Sequence, residues 1–175
     1  MRPIDDYIKL VARKRLKEYL AEDPPAVLLT DVLCGSFRPI QGKPGDTAEM
    51  QAFCNGMEEI RNNRTTSSSS YVVMPLAGGQ GTGTNRLLVG CSERCDIRVS
   101  EVTVSREHAW IERKGDKYFI EDNNSTNGTS VNGVRLEPGQ ARRIQTWSRI
   151  TLGKLDLTFF DPRGFYNFVK KFGSG

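Results

Sequence analysis

The stretch from Val104 to Gly133, VSREHAWIERKGDKYFIEDNNSTNGTSVNG, decides how the rest of the chain is read. It holds two polar, turn-prone loops, Ser105–His108 and Asp122–Gly128, with a compact hairpin between them. Ala109–Arg113 and Lys117–Glu121 are rich in aromatic and β-branched residues, and Lys114-Gly115-Asp116 supplies a tight turn. Strands joined by a tight turn run antiparallel, so the segments entering and leaving the hairpin emerge at the same end. Ser105 and Arg106 are therefore predicted to lie close to Ser125, Thr126 and Asn127. Hydroxyls, an amide and a guanidinium gathered on loops suit the binding of a phosphate or a peptide backbone better than bond-making.

Outward from this hairpin the chain is punctuated by short apolar runs and turn signals. Strands are predicted at Tyr71–Leu76, Arg86–Val89, Ile97–Val99, Thr129–Val131, Val134–Leu136, Ile150–Leu152 and Leu155–Phe160. Asn132-Gly133 has the residues of a type I′ turn and Pro138-Gly139 those of a type II turn. Many short strands with turns between them predict an all-β sandwich.

With these pieces in place, the chain resembles the forkhead-associated (FHA) family. The matching residues are Gly90 with Asp96-Ile97, then Ser105-Arg106-Glu107-His108, then Ser125-Thr126-Asn127-Gly128-Thr129 and Val131-Asn132-Gly133. The resemblance spans roughly residues 71–160 and implies a β-sandwich that reads phosphothreonine in partner proteins from loops at one end. It assigns Ser105, Arg106, Thr126 and Asn127 to the phosphopeptide. It makes Gly90, His108 and Gly128 structural supports, with the histidine ring holding the serine loop. The chain departs from the family at one position. The pattern has Arg directly after Gly90, where it contacts the phosphate, and here the residue is Cys91. Loss of a charge-assisted contact costs about 1.5–3 kcal/mol, and Arg94 or Arg106 is the candidate replacement.

At 175 residues the chain has room for one domain and an appendage. Charged residues at 26% and apolar ones at 37% describe a globular protein, and a net charge of +4 is only mildly basic. The acidic start, MRPIDDYIKL, does not read as a signal peptide, and Ala26–Leu33 is too short to span a bilayer; a cytoplasmic protein without membrane partners is expected. Cys34, Cys54, Cys91 and Cys95 read as reduced thiols, and no metal or cofactor site is expected.

Residues 5–21 are predicted to form one helix, ended by Asp23-Pro24-Pro25. Its basic run at 13–17 is read as a solvated face, making nucleic acid the least favoured partner. Ala26–Leu33 reads as a buried strand or core segment, 35–46 as a loop, and 46–61 as a second helix opened by Asp46 and Glu49. The predicted organisation is an N-terminal helical and mixed region over 1–63, a Ser/Thr-rich linker over 64–70, a sandwich over 71–162 and a C-terminal helix over 163–175. Asp161-Pro162 would start that helix, with Phe165, Phe168, Val169 and Phe172 on one face. The Gly-rich 77–84 segment lacks the Lys-Ser/Thr ending of a P-loop.

Ser105 and His108 are too few for a hydrolase, since no second histidine or nucleophile elbow accompanies them. The expected function is a non-enzymatic phosphothreonine-binding signalling adaptor working with a Ser/Thr kinase. The alternative, suggested by Cys91, is a phosphate-independent interaction or assembly module. Thr65 and Thr66 in the linker add a route to self-association if phosphorylated.

Overall fold

A computed structural model describes residues 2–31, 71–77 and 85–172. The predicted loop at 35–46, the helix at 46–61, the linker and nearly all of the Gly-rich segment lie outside the described residues, as do Cys34 and Cys54. The strands are β1 (Arg2–Pro3), β2 (Val27–Asp31), β3 (Tyr71–Pro75), β4 (Arg86–Gly90), β5 (Ile97–Arg98) and β6 (Ala109–Lys114). They continue with β7 (Lys117–Asp122), β8 (Thr129–Val131), β9 (Val134–Arg135), β10 (Arg142–Ile144), β11 (Arg149–Leu152) and β12 (Leu155–Phe160). The helices are α1 (Ile4–Ala12), α2 (Leu16–Ala21) and α3 (Pro162–Phe172).

Two sheets form the sandwich predicted from the sequence. One runs β1-β3-β2-β12-β11-β8-β9 and the other β10-β7-β6-β4-β5. Every strand pair is antiparallel except β4 with β5, which is parallel. The hairpin at the centre of the motif forms as expected, with Lys114 opposite Lys117 and Gly115 at a φ of +61° in the turn. Asn132 and Gly133 both have positive φ, 50° and 77°, as a type I′ turn requires.

The core between the sheets joins Val89, Ile111 and Ile120 to Leu28, Met74, Ile150, Leu157 and Phe159. A second apolar layer lies on the other face of the seven-stranded sheet. There Val27, Leu29, Val73 and Phe160 meet Ile4, Val11, Tyr19, Phe165, Phe168 and Val169 of the three helices. Successive strand residues point to opposite faces, so Leu28 fills the inner core while Val27 and Leu29 face the helices. That explains why 26–29 reads as an unbroken apolar run: a strand covered on both faces has no polar side. The end of the last strand is likewise covered on both faces, with Phe159 in the inner core and Phe160 fully buried under the helices.

The single helix predicted over 5–21 is instead two. The break falls at the basic residues 13–15, where Arg15 adopts an extended backbone and its N–H donates to Glu18 Oε2 at 2.9 Å, restarting the helix as α2. Carbonyls freed at the break are taken up by α3. Lys170 Nζ donates to Ala12 O at 3.0 Å and Tyr166 Oη to Lys14 O at 2.9 Å. Helix α3 starts where Asp161-Pro162 predicts, with Gly164 N–H donating to Asp161 Oδ1 at 2.8 Å. The N-terminal residues thus share sheet and core with the sandwich. Strand β2 sits between β12 and β3, and β1 pairs with β3.

Candidate functional site

Three loops and one turn converge at one end of the sandwich: 91–96 after β4, 99–108 after β5, 123–128 after β7, and Gly153-Lys154 between β11 and β12. Ser105 and Thr126 meet as the hairpin geometry predicts. The Thr126 N–H donates to Ser105 Oγ at 3.0 Å, and the two hydroxyl oxygens lie 3.4 Å apart. Thr126, Asn127 and Arg106 are exposed, and Ser105 is half-buried.

Behind them His108 is fully buried and bridges two loops. Its Nδ1 accepts from the Ser105 N–H at 2.9 Å, which leaves the ring proton on Nε2 to donate to Gly128 O at 3.2 Å. Burial pushes its pKa below the usual 6.5, outweighing the Gly128 carbonyl and Asp122, which act the other way. A neutral imidazole held this way is a brace, with both nitrogens occupied.

The network has a second centre that the sequence reading did not single out. Asp122 is buried, and its Oδ1 accepts from the Ser125 and Thr129 hydroxyls at 2.7 and 2.6 Å, while Oδ2 accepts the Ser125 N–H at 3.0 Å. Burial alone would raise its pKa; these hydrogen bonds prevail and hold the carboxyl below 3.8. The Ser125 hydroxyl in turn accepts the Gly128 N–H at 2.9 Å, closing the loop on itself. Asp122 stands three residues before Ser125, the spacing of a side chain that accepts from the backbone of its own turn. That spacing was the available signal.

Asn127 does not hang free. Its Nδ2 donates to Thr103 O at 2.8 Å, tying the two loops together, and its Oδ1 has no hydrogen-bond partner among the described residues. Thr103 is held by Glu101, which accepts its N–H at 2.8 Å and also its hydroxyl; the same hydroxyl accepts from the Lys154 N–H at 2.8 Å. Gly90 is required by close approach: the Cys91 and Ser92 N–H groups donate to Ser105 O and Arg106 O at 3.1 Å each, and a Cβ on Gly90 would collide with the Arg106 carbonyl. Gly128 has a φ of +81°, which favours glycine.

Cys91 stands in the same loop, half-buried, beside the Ser105 carbonyl it donates to. Cys95 Sγ donates to Arg106 O at 3.0 Å, and its burial raises the thiol pKa, so it serves the loop as a weak donor. Among the described residues no group of three or more metal-ligating side chains gathers. Arg94 and Arg106 are exposed, and neither guanidinium has an ion-pair partner among the described residues.

A model of the FHA domain matches residues 87–153, the span that carries every loop just described. The oxoglutarate dehydrogenase inhibitor of Corynebacterium diphtheriae is 31% identical over 112 residues, covering 56% of this chain and 76% of that protein. The chain belongs to the FHA family. FHA domains are non-enzymatic binding modules that generally take phosphothreonine peptides. Protein FraH of Nostoc sp. (strain PCC 7120) is 49% identical over 57 residues, 33% of this chain, and the chain spans only 20% of FraH's length. Among solved structures, the FHA domain of FhaA complexed with the intracellular domain of Rv3910 shares 26% identity, with a TM-score of 0.43 over 50% of this chain and 87% of that one. No helix among the described residues is long and apolar enough to cross a membrane.

Proposed function

We propose that this FHA domain reads a phosphothreonine in a partner protein, making the chain a signalling adaptor that acts downstream of a Ser/Thr kinase in the cytoplasm. The observation that carries this reading is the Ser105–Thr126 hydroxyl pair, 3.4 Å apart at the open end of the sandwich and braced from behind by His108. A phosphate offers several strong acceptor oxygens and needs donors held in a fixed arrangement. The two hydroxyls supply neutral donors, and the exposed Arg106 guanidinium supplies charge, with Arg94 in the neighbouring loop as a second source. Asn127 gives one amide N–H to Thr103 and keeps Oδ1 without a partner among the described residues, which suits accepting a peptide N–H.

Cys91 favours a second reading, a phosphate-independent assembly module, because a thiol replaces the guanidinium of the family pattern. Screening the full chain against an oriented phosphothreonine peptide library with unphosphorylated controls separates the two. Selection of phosphorylated members supports the phosphate reader. Equal binding of both sets sinks it and favours the assembly module. Phosphorylation of Thr65 or Thr66 would let the linker be captured by the loops of the same or a neighbouring copy, and a short tether gives a high effective concentration only where geometry allows it, which favours exchange between two copies. Sedimentation of kinase-treated chain against Thr65→Ala/Thr66→Ala chain tests that extension, and identical sedimentation rules it out.

A further inference from the structure

Four cations stand at or beside the recognition end, and one of them, Arg135, belongs to no motif. It lies in β9, opposite Ser130 in β8, and the two strands lead back to the 123–128 loop. Its guanidinium lies against Gly128 in that loop. A Cβ at residue 128 would fall on Nη2 and Cζ of Arg135, so the glycine leaves the space that the guanidinium fills. The residue is exposed and has no ion-pair partner among the described residues. Gly128 follows Asn127, whose Oδ1 has no hydrogen-bond partner among the described residues. Its carbonyl is already committed to His108 and to the Gly153 N–H at 3.0 Å, so the loop beneath Arg135 is rigid. An unpaired, planar, pre-placed cation therefore flanks the Asn127 side of the site, while Arg94 and Arg106 flank the Ser105 side.

We infer that Arg135 is a specificity residue that takes a second anionic group of the partner: an aspartate, glutamate or second phosphorylated residue near the phosphothreonine. The inference rests on the proposed phosphothreonine reading and names the class of peptide that the site prefers. A guanidinium binds carboxylate and phosphate in bidentate fashion with five fixed donors, and contact with Gly128 removes part of the freedom that binding would otherwise cost. Lys154, exposed on the adjoining turn, adds to the positive field on this side.

The test uses the full chain and phosphothreonine peptides in matched sets, identical except that one flanking position at a time carries Asp or Ala. Fluorescence polarisation on wild type is expected to show, for at least one position, about ten-fold tighter binding of the Asp peptide, a ratio that shrinks with added salt. In Arg135→Gln that ratio should fall close to one, and in Arg135→Lys to an intermediate value, with melting temperatures recorded to confirm folding. A wild type without preference at any position overturns the inference, as does a preference that survives Arg135→Gln. If Arg135→Gln weakens Asp and Ala peptides equally, Arg135 contacts the phosphothreonine itself and the flanking role is wrong, while the phosphate reading stands. If no phosphothreonine peptide binds better than its unphosphorylated twin, the phosphate reading fails and takes this inference with it.

Discussion

The outer helical layer and the loop end are built on opposite principles. On the outer face of the seven-stranded sheet, Phe160 and Phe168 stack with centroids 5.0 Å apart, and Trp147 meets Phe160 edge-on at 4.6 Å. Tyr7 closes on Phe165 at 5.3 Å. That layer is apolar and sealed, and its stability is area removed from water. At the loop end the buried groups are polar: His108, Asp122 and Thr129 sit at the centre of hydrogen bonds that hold and link two loops. There stability depends on each polar group finding its partner, and the surface above stays rich in free donors. The difference separates what holds the fold together from what is offered to a partner. It also indicates which substitutions should affect one without the other.

The largest effect is expected in the helical layer. Phe160→Ala should destabilise the chain by about 3–5 kcal/mol, the range for truncating a fully buried phenylalanine, as read by urea denaturation. Protein that remains folded should keep its ratio of phosphorylated to plain peptide affinity. A changed ratio would mean that the layer shapes the site and that the two regions are not separate.

At the loop end His108→Ala should cost about 1–3 kcal/mol, because it leaves the Ser105 N–H unpaired and takes one of two donors from the Gly128 carbonyl, and it should also weaken peptide binding. Loss of stability with binding intact would show that the brace is not needed by the site. The same residue predicts a pH dependence. With its folded pKa pushed below 6.5, the imidazole takes up a proton in the unfolded chain first, so stability is full above about 6.5 and declines as the pH falls from there toward the folded value. Melting temperatures at pH 7.5 and 5 should differ more for wild type than for His108→Ala. Asp122, held below 3.8, adds a loss only at still lower pH.

A smaller change is expected where the site departs from its family. Cys91→Arg should tighten phosphothreonine-peptide binding about ten-fold, roughly 1.4 kcal/mol, and leave the plain peptide as it was. If Arg106 or Arg94 already serves the phosphate, the gain is small, and removing that arginine abolishes wild-type binding.

Much of this was legible in the sequence because it is local. A two-residue turn between alternating runs fixed the β6–β7 hairpin, and the hairpin alone brought Ser105 to Thr126. Asp161-Pro162 announced α3 in the same way. What escaped was non-local or disguised. Strand β2 pairs with β12, some 130 positions along the chain, as in Leu28 opposite Phe159, and no periodicity reports a partner that distant. The break at 13–15 was hidden because Ile8, Ala12, Leu16 and Leu20 keep a helical spacing of four across it. Asp122 looked like one more acid in a polar loop; only its burial shows it to be a hub. Arg135 read as an ordinary strand residue, and Gly128 beside it only as a support of the site.

The central claim is that the loop end reads phosphate through the Ser105–Thr126 pair. Its most direct test is calorimetric titration of wild type and Ser105→Ala with a library-selected phosphothreonine peptide and its unphosphorylated twin. The account predicts that wild type prefers the phosphorylated peptide and that Ser105→Ala loses most of that preference while melting within a few degrees of wild type. Equal affinity of wild type for both peptides, or a preference untouched by Ser105→Ala, would contradict it.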